Sequence, residues 1–480
     1  MTAHRHEYLL LLVFAAAMLT AADNPHTSVA ARVDAHAARF GEISRQIWEW
    51  PEPGYKETRS AALLSQELRD AGFRVRGAVA GIPTAFVAEW GNGKPVIGIM
   101  GEYDALPGLS QDVAPQQQPH GAGGYGHGCG HNLLGAASAL AAIAVKESLE
   151  ADHRSGTIRS YETPAEEGGD GKIYMARDGL FNDVDIVLHW HPSDRNVATM
   201  LSSPAVMRAK IRFHGRAAHA AAAPEKGRSA LDAAMLMGHA VDMLREHIPQ
   251  ESRLHYIITR GGDAPNIVPA DAEMYLYARH PRMAVLDGIW QRILKCAEAG
   301  ALATETAMTM ELEGSDYEVL PNDVLSELLD RNLREVGGIS YSPDEQAFAE
   351  AIRKTLPIED ALPLGSQNGV RPRDEAMSIG STDAGDISWL VPTGWFLAAT
   401  LVPGVPAHSW QATACAGGTI GRKSMVVAAK TLAFTAMDLF TTHATVRAAR
   451  DNFDHRRAGQ VYRSRLPVGM KPPLTYRDAR

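Results

Sequence analysis

Two periodicities alternate along most of the chain, one helical and one strand-like. Apolar residues three or four positions apart indicate amphipathic helices, whereas short runs rich in Val, Ile and Phe indicate strands. The helical pattern covers 29–50, 58–71, 133–148, 322–336, 344–355 and 419–440. The strand pattern covers 85–90, 96–100, 157–162, 184–188 and 395–400, and a basic, proline-rich tail follows the last helix. Helices alternating with strands in this way predict an α/β fold.

The pattern changes after Pro204. Strands are predicted at 207–214, 254–259, 274–278 and 306–312, and helices at 229–244 and 286–299. Strands with hairpin-like neighbours and helices in this order predict a compact α+β unit inserted into the larger domain. We place the insertion at 205–316, so that 23–204 and 317–480 form the two parts of the larger domain.

The first 22 residues form a segment of their own. Arg5 precedes the apolar run Tyr8–Leu19, and the small residues Thr20, Ala21 and Ala22 follow it. The run is short for a membrane span but has the length and small-residue exit of a secretory signal peptide. We expect cleavage near Ala22 and a periplasmic or secreted protein without further membrane contact. The alternative is an uncleaved N-terminal anchor.

Composition narrows the possible functions. The chain has 480 residues, of which 45% are hydrophobic and 21% charged, as in ordinary globular proteins. Its net charge of -9 offers no basic surface for nucleic acid. The three cysteines, Cys129, Cys296 and Cys415, lie far apart and do not form a disulfide framework. A cysteine is therefore available as a metal ligand.

The stretch GHGCGHN at 126–132 carries the clearest chemical signal. Cys129 and His131 are flanked by glycines and lead directly into an apolar helix. A lone Cys and His are often only a small buried residue and a satisfied polar group. Downstream, however, lie Glu166-Glu167 with two glycines, and His191 at the end of an apolar strand. Thiolate, imidazole and carboxylate together suit zinc, with manganese, cobalt or nickel possible.

We expect Cys129, His131, Glu167, His191 and His408 to converge on the metal. Five side-chain ligands exceed the needs of one tetrahedral site, so a pair of divalent metal ions is the economical interpretation. Glu166, adjacent to a ligand, is then placed to accept the proton of a metal-activated water. His189, on the same strand as His191, is interpreted as structural.

Two aspartates are expected to support the ligands. Asp104 follows the strand at 96–100, and ligands of α/β sheets collect beyond the carboxyl ends of strands. It is equally well placed as a turn residue before Pro107. Asp383 belongs to the acidic, glycine-punctuated turn 380–386, which is expected to cap a site.

The order of these motifs resembles the aminoacylase/carboxypeptidase family of dinuclear-metal peptidases, in its amidohydrolase branch. The matching motifs are GEYDALP at 101–107, HGCGHN at 127–132, EEGG at 166–169, GRAAHA at 215–220, GRSALDA at 227–233, PNIVP at 265–269, GSTD at 380–383 and PAHSWQ at 406–411. The resemblance implies a mixed-sheet α/β/α catalytic domain of the exopeptidase type, with the insertion as a lid and dimerisation domain. It also implies the same metal ligands and the same general base.

Three further residues are assigned only through this resemblance. His219 is expected to reach the site from the partner subunit of a homodimer and to stabilise the oxyanion of the tetrahedral intermediate. Asn266 and Arg279 are expected to hold the carboxylate of the substrate, for which an arginine fork is well suited.

The expected activity is metal-dependent hydrolysis of the amide bond of N-acyl or N-aroyl amino acids, such as p-aminobenzoyl-glutamate. Aminoacylase or dipeptidase and carboxypeptidase specificity uses the same machinery, and the sequence does not separate these enzymes. A non-catalytic protein that binds its ligand as a dimer is a third interpretation. It conflicts with the presence of candidates for the base, the metal ligands and the oxyanion donor.

Overall fold

The computed structural model describes residues 25–121, 124–199, 202–357, 362–373 and 380–478. The predicted signal peptide, residues 1–22, lies outside the described residues. The described chain combines a seven-stranded sheet, a four-stranded sheet and a two-stranded ribbon with helices packed against them. This mixed architecture confirms the predicted α/β fold class.

The strands are β1 (Arg74–Gly77), β2 (Phe86–Asn92), β3 (Val96–Gly101), β4 (Leu106–Pro107), β5 (Tyr125–Gly126), β6 (Gly156–Glu162), β7 (Ile186–Ser193), β8 (Val197–Ala198), β9 (Ala205–His214), β10 (Arg253–Arg260), β11 (Asp271–His280), β12 (Ala307–Asp316) and β13 (Thr393–Ala399). The helices are α1 (Pro25–Glu49), α2 (Thr58–Asp70), α3 (His131–Ala151), α4 (Gly171–Arg177), α5 (Ala230–Leu244), α6 (Met283–Ala303), α7 (Asp323–Val336), α8 (Pro343–Arg353), α9 (Ala384–Ser388), α10 (Trp410–Gly417), α11 (Thr419–Thr441) and α12 (His443–Arg457).

The large sheet has the order β1-β2-β6-β3-β7-β13-β8. Its four central strands, β6, β3, β7 and β13, run parallel to one another. Along β3, Ile97 and Ile99 point into one hydrophobic core, and Val96 and Met100 point into another on the opposite face. Burial on both faces explains why this strand reads as a continuous apolar run.

Two helices of the larger core, α3 and α11, are apolar and long enough to cross a membrane. In the folded domain, 89% of the apolar window of α3 and 78% of that of α11 are buried. They pack against each other and against α1. Their hydrophobicity is therefore explained by the protein core.

The smaller sheet is antiparallel, with the order β10-β11-β9-β12, and lies between β8 and α7 in the sequence. Helices α5 and α6 pack against each other and onto this sheet, where Phe213, Met237, Leu276 and Ile293 are buried. The sheet begins at Ala205 and ends at Asp316. The exact domain limits remain predictions.

A buried ion pair links this sheet to the larger domain. Arg208 in β9 pairs with Asp170, which directly precedes α4, and lies 3.6 Å from Asp316. All three side chains are largely buried. Because removing one member would leave a buried charge unpaired, the joint between the domains is specific in geometry.

Strand order differs from the simplest expectation for neighbouring strands. β2 and β3 are separated by only a short turn, yet β6 lies between them and pairs with both. β2 is antiparallel to β6, whereas β3 is parallel to it. The wide turn that includes Gly91, with φ of 88°, lets the chain skip one position in the sheet.

The expectation of only a basic, proline-rich tail after α11 was incomplete, because helix α12 precedes the tail. The helix has 15 residues but buries only Ala449 and Phe453. With so narrow an apolar stripe among many charged residues, its periodicity is weak in the sequence. The residues after α12 form a long irregular segment that runs back over the protein.

The position of α1 depends in part on His26. Its Nδ1 lies 2.9 Å from Glu335 in α7, and its Nε2 lies 3.1 Å from Asp438 in α11. The hydrogen bond to Asp438, against the opposing effect of burial, raises the pKa of His26. An imidazole that donates from both nitrogens is protonated, so this contact favours the charged form.

We expect the His26→Gln variant to be less stable than the wild type by about 1–2 kcal/mol at mildly acidic pH. A raised folded-state pKa means that the contribution of His26 is fully present below the ordinary value of 6.5. It is lost as the pH rises through the raised pKa. Denaturant midpoints of both proteins, measured over a series of pH values, should therefore converge at alkaline pH. The exposed His443→Gln variant is the control, and a pH-independent difference for His26→Gln would contradict the assignment.

Candidate metal centre

The site forms where the central strands of the large sheet end. β3 delivers Glu102 and Asp104, the loop after β6 carries Glu166 and Glu167, and β7 carries His191 near its end. Parallel strands place these carboxyl ends at one edge of the sheet. The sequence positions that were far apart are therefore neighbours in space.

The glycine-flanked stretch places two more donors beside them. Gly130 has a φ of 74° and directly precedes α3, of which His131 is the first residue. A Cβ atom at Gly130 would lie 2.8 Å from the side chain of Pro192. Only glycine therefore permits this conformation and this close approach, which together set Cys129 against His191.

The predicted donors are brought together. Cys129 Sγ lies 3.4 Å from His191 Nε2, and His408 Nε2 lies 3.2 Å from Glu167 Oε1. Three groups have donor atoms within 4.8 Å of one another. They are Cys129 with His131 and His191, Cys129 with Glu167 and His408, and Glu102 with His131 and Glu166. Cys129 belongs to two groups, so it is positioned between two neighbouring clusters of donors.

Asp104 orients members of both clusters. One carboxylate oxygen lies 2.9 Å from His131 Nδ1, and the other accepts a hydrogen bond of 2.9 Å from the backbone N–H of Glu167. The contact at Nδ1 leaves His131 Nε2 facing the other donors. A carboxylate on the far nitrogen of a histidine is the usual arrangement behind a metal ligand.

A buried polar network behind the donors was not anticipated from the sequence. Lys172 Nζ lies 2.7 Å from Glu102 and 2.6 Å from Asp383, and His189 Nε2 lies 3.4 Å from Glu102. Glu102 belongs to the GEYDALP motif, but no periodicity or motif singled out Lys172. Asp383 thus contacts the site through Lys172, and His189 is buried within the network.

The electrostatics of the cluster favour added positive charge. Burial disfavours a thiolate at Cys129, but His191 and His131 outweigh it and hold the pKa of the thiol well below its ordinary value. Burial, followed by the charge of Cys129, raises the pKa of Glu167 to about 7. Hydrogen bonds to Cys129 and Glu167 raise the pKa of His408 to about 11. Protons therefore gather where a divalent cation would replace them.

The donor atoms fit such a cation. His131 Nε2 and Glu167 Oε1 are buried, and neither has a well-formed hydrogen bond within the described part of the chain. Buried polar atoms are rarely left in this state. Thiolate, imidazole and carboxylate donors satisfy the preferences of zinc and its neighbours among divalent metals.

A cavity of about 750 Å³ opens in front of the donors. Cys129, Glu166, Glu167, His191 and His408 all contribute to its wall. The opposite side is largely apolar and includes Trp395, Leu397, Leu401, Val405 and Pro406. A volume of this size accommodates a small organic molecule against the donors.

The residues assigned to substrate and oxyanion lie elsewhere. His219 and Asn266 are exposed neighbours in the inserted domain, where the Asn266 carbonyl accepts a hydrogen bond from the Ala220 N–H, and neither lines the cavity. Arg279 Nη1 lies 3.5 Å from Ser381 Oγ, and Ser381 does line the cavity. Within one chain, the structure brings Arg279 towards the cavity rim and leaves His219 apart from it.

A thiolate, histidines and paired glutamates around a cavity define the site of a metal-dependent hydrolase. Comparison with known proteins agrees. Residues 202–305 match the M20 peptidase dimerisation domain. One of the two p-aminobenzoyl-glutamate hydrolase subunits of Escherichia coli is 38% identical over 466 residues, which cover 92% of this chain and 97% of that protein. The Xaa-Arg dipeptidase of Mus musculus is 33% identical, over 88% of this chain and 91% of that protein.

The fold comparison agrees with these relatives. A dinuclear metal binding peptidase of the M20 family from Bacillus subtilis superposes with a TM-score of 0.56 at 18% identity, covering 85% of this chain and 99% of that chain. The protein belongs to the M20 family of metal-dependent peptidases and amidohydrolases, which confirms the resemblance found in the sequence. It is a hydrolase of amide or peptide bonds.

We expect the Cys129→Ser variant to lose metal from both clusters, because the thiolate belongs to both. The content should fall from about two metal ions per chain to less than one, since a neutral hydroxyl replaces the thiolate ligand. Elemental analysis of the purified, reconstituted proteins measures this change.

The matched control is Cys296→Ser, which alters the half-buried cysteine of the inserted domain. It should retain the metal content of the wild type. Full occupancy in Cys129→Ser would contradict a shared thiolate ligand.

Proposed function

We propose that the protein hydrolyses N-acyl and N-aroyl amino acids, with p-aminobenzoyl-glutamate as the representative substrate. The observation that carries the proposal is the cavity, which joins the donor cluster to a broad apolar wall. An amide carbonyl placed at the donors would leave the acyl or aroyl group against Trp395 and Leu397. The Escherichia coli relative, whose name includes this substrate, supports the choice.

In this proposal Cys129, His131, Glu167, His191 and His408 hold two divalent metal ions, zinc or manganese, with cobalt or nickel possible. When bound, such ions supply an acidified water and polarise the carbonyl of the scissile amide. The residues themselves fix the geometry. Asp104 holds His131 and the Glu167 backbone in place, and Pro192 provides the carbonyl that lies 2.8 Å from His191 Nδ1.

Glu166 acts as the general base in this scheme. It lines the cavity next to Glu167 and lies within 4.8 Å of the donor atoms of Glu102 and His131. Its carboxylate would accept a proton from the attacking water and deliver it to the nitrogen of the leaving amine. Lys172 keeps the neighbouring Glu102 paired, so that a second uncompensated carboxylate does not face the base.

The inserted domain is proposed to complete the site in a homodimer. It exposes apolar side chains, among them Met243 at 70%, Ile257 at 60% and Leu302 at 82% exposure, which a partner would cover. His219 of a second copy would then reach the cavity and stabilise the oxyanion. Asn266 would accompany it, and Arg279 beside Ser381 would hold the substrate carboxylate.

Dipeptidase activity is a second candidate, supported by the relative named Xaa-Arg dipeptidase. A cationic substrate side chain requires a carboxylate that faces the cavity. Asp194 lies in the cavity wall, but its carboxylate already pairs with Arg195 at 2.6 Å and accepts the Gly404 N–H at 3.1 Å. This pairing favours an uncharged acyl group over an arginine-containing dipeptide.

We further propose a periplasmic or secreted location. The proposal rests on the sequence of residues 1–22, whose apolar run and small-residue exit are typical of a signal peptide. Amino-terminal sequencing of the protein from the cell envelope and medium of the producing organism would test it. A retained Met1 would contradict cleavage.

We expect Glu166→Gln to lower kcat on p-aminobenzoyl-glutamate by ~10²–10⁴-fold, because the amide cannot accept the proton. Metal content should remain that of the wild type, since Glu166 is the neighbour of a ligand and not one of the five. Product release followed by chromatography, together with elemental analysis, separates the two effects.

The exposed Glu298→Gln variant in α6 is the control for this change and should be fully active. Glu166→Gln with wild-type turnover would rule out this base. A wild-type enzyme that cleaves only arginine-containing dipeptides would instead favour the second candidate function.

The apolar wall makes its own prediction. Leu397→Ala should lower kcat/KM for p-aminobenzoyl-glutamate ~10-fold, and lower it much less for N-acetyl-glutamate, whose acyl group is too small to use the wall. Leu302→Ala, at an exposed position of the inserted domain, should leave both substrates unaffected. Equal losses on both substrates in Leu397→Ala would mean that the wall does not contact the aroyl group.

A further inference from the structure

The segment 458–478, here called the C-terminal strap, leaves α12 and runs back over both domains. Tyr462 donates a hydrogen bond of 2.8 Å to Asp386, and Arg465 pairs with Asp287 in α6 of the inserted domain. Further on, the carbonyl of Met470 accepts a 2.6 Å hydrogen bond from Arg177 in α4. Contacts with side chains of both domains thus fix the path of the strap.

The strap ends on the loop that carries the two glutamates. Arg477 Nη2 donates a hydrogen bond of 2.5 Å to the carbonyl of Glu167, and Tyr476 Oη lies 3.5 Å from the same oxygen. The Tyr476 ring packs edge-on against Tyr55 with 5.7 Å between centroids. Lys56 and Asp478 form an ion pair of 2.8 Å beside these contacts.

This loop has an unusual backbone that requires support. Ala165 has a φ of 59°, Gly168 of 104° and Asp170 of 58°, all in the left-handed region. Side-chain-bearing residues adopt this region at a cost in free energy and keep it only where the surroundings impose it. The conformation of the two glutamates therefore depends on contacts made by other segments.

Three such contacts enclose the loop. Glu57 accepts the Ala165 N–H at 2.9 Å, and Asp104 accepts the Glu167 N–H at 2.9 Å. The strap supplies the remaining contact, from Arg477 to the Glu167 carbonyl. The N–H and the carbonyl of Glu167 are thus held from two sides, and this fixes the direction in which its side chain leaves the backbone.

Tyr476 also has a fitted seat. A Cβ atom at Gly54 would collide with its hydroxyl group, so the chain before α2 approaches as closely as glycine allows. The guanidinium carbon of Arg477 lies 4.9 Å from the centre of the Tyr476 ring, which orders the arginine towards the loop. The strap is therefore packed specifically at this point.

We propose that Arg477, ordered by Tyr476, is a positioning residue that sets Glu166 and Glu167 for catalysis through the Glu167 carbonyl. The proposal rests on the proposed hydrolase function, in which Glu167 is a metal ligand and Glu166 the base. Without Arg477 the loop relaxes from its left-handed conformation, and the Glu167 carboxylate moves relative to Cys129 and His408. Metal affinity and proton transfer then both suffer.

The test compares Arg477→Ala, Arg477→Lys and Lys471→Ala, the last of which removes a charge from an exposed position of the strap. Zinc is titrated into the metal-free full-length proteins against a chromophoric chelator, and kcat and KM on p-aminobenzoyl-glutamate are measured separately. We expect Arg477→Ala to weaken the weaker zinc site ~10–100-fold and to lower kcat by a similar factor with little change in KM. Arg477→Lys should recover part of both losses, and Lys471→Ala should match the wild type.

Arg477→Ala with zinc affinity and kcat within twofold of the wild type would overturn the inference, even if its melting temperature falls. If Arg477→Ala does not fold, Tyr476→Phe, which keeps the ring, provides the same comparison and should show a smaller loss of zinc affinity. A wild-type chain that binds no zinc would overturn the proposed function, and the inference with it. A wild-type chain that binds zinc, combined with unaffected strap variants, would overturn the inference alone.

Discussion

The site depends on the need to balance several anionic side chains within a largely enclosed volume. Cys129, Glu102, Glu166 and Glu167 converge with three histidines where the parallel strands end. Charges removed from water must be paired, and here the pairing is done partly by Lys172 behind the donors and partly by protons on the imidazoles. A divalent cation is the natural replacement for those protons. Much of the surrounding structure serves to hold the donors against their mutual repulsion.

The sequence predicts those parts of the fold that arise from local pattern. The wholly apolar β3 and the buried helix α3 are recognisable because both elements are surrounded by core, and each delivers a donor at its end. The five proposed ligands could be chosen because glycines and strand ends mark the positions where side chains face a cleft. Family resemblance supplied the role of His219, whose exposed position in a single chain gives no sign of it.

Features that depend on long-range packing could not be predicted in this way. The insertion of β6 between β2 and β3 follows from burial on both sheet faces, which no short stretch records. Lys172 appears as an ordinary helix lysine until Glu102 and Asp383 are found beside it. Helix α12 was missed because only two of its residues are buried, and Arg477 because its partner is a backbone carbonyl rather than a side chain.

The contact between the strap and the Glu167 loop has a consequence for biosynthesis. Every other described element of the site, from β3 to the loop of His408, precedes the strap in the chain and is synthesised before it. Domains fold in the order in which they emerge, so the glutamate loop waits for its last support until residues 476–477 have been made. In a nascent or partly translocated chain, the donors would therefore not yet form a finished metal site. The order of synthesis thus delays high-affinity metal capture until the rest of the fold is in place.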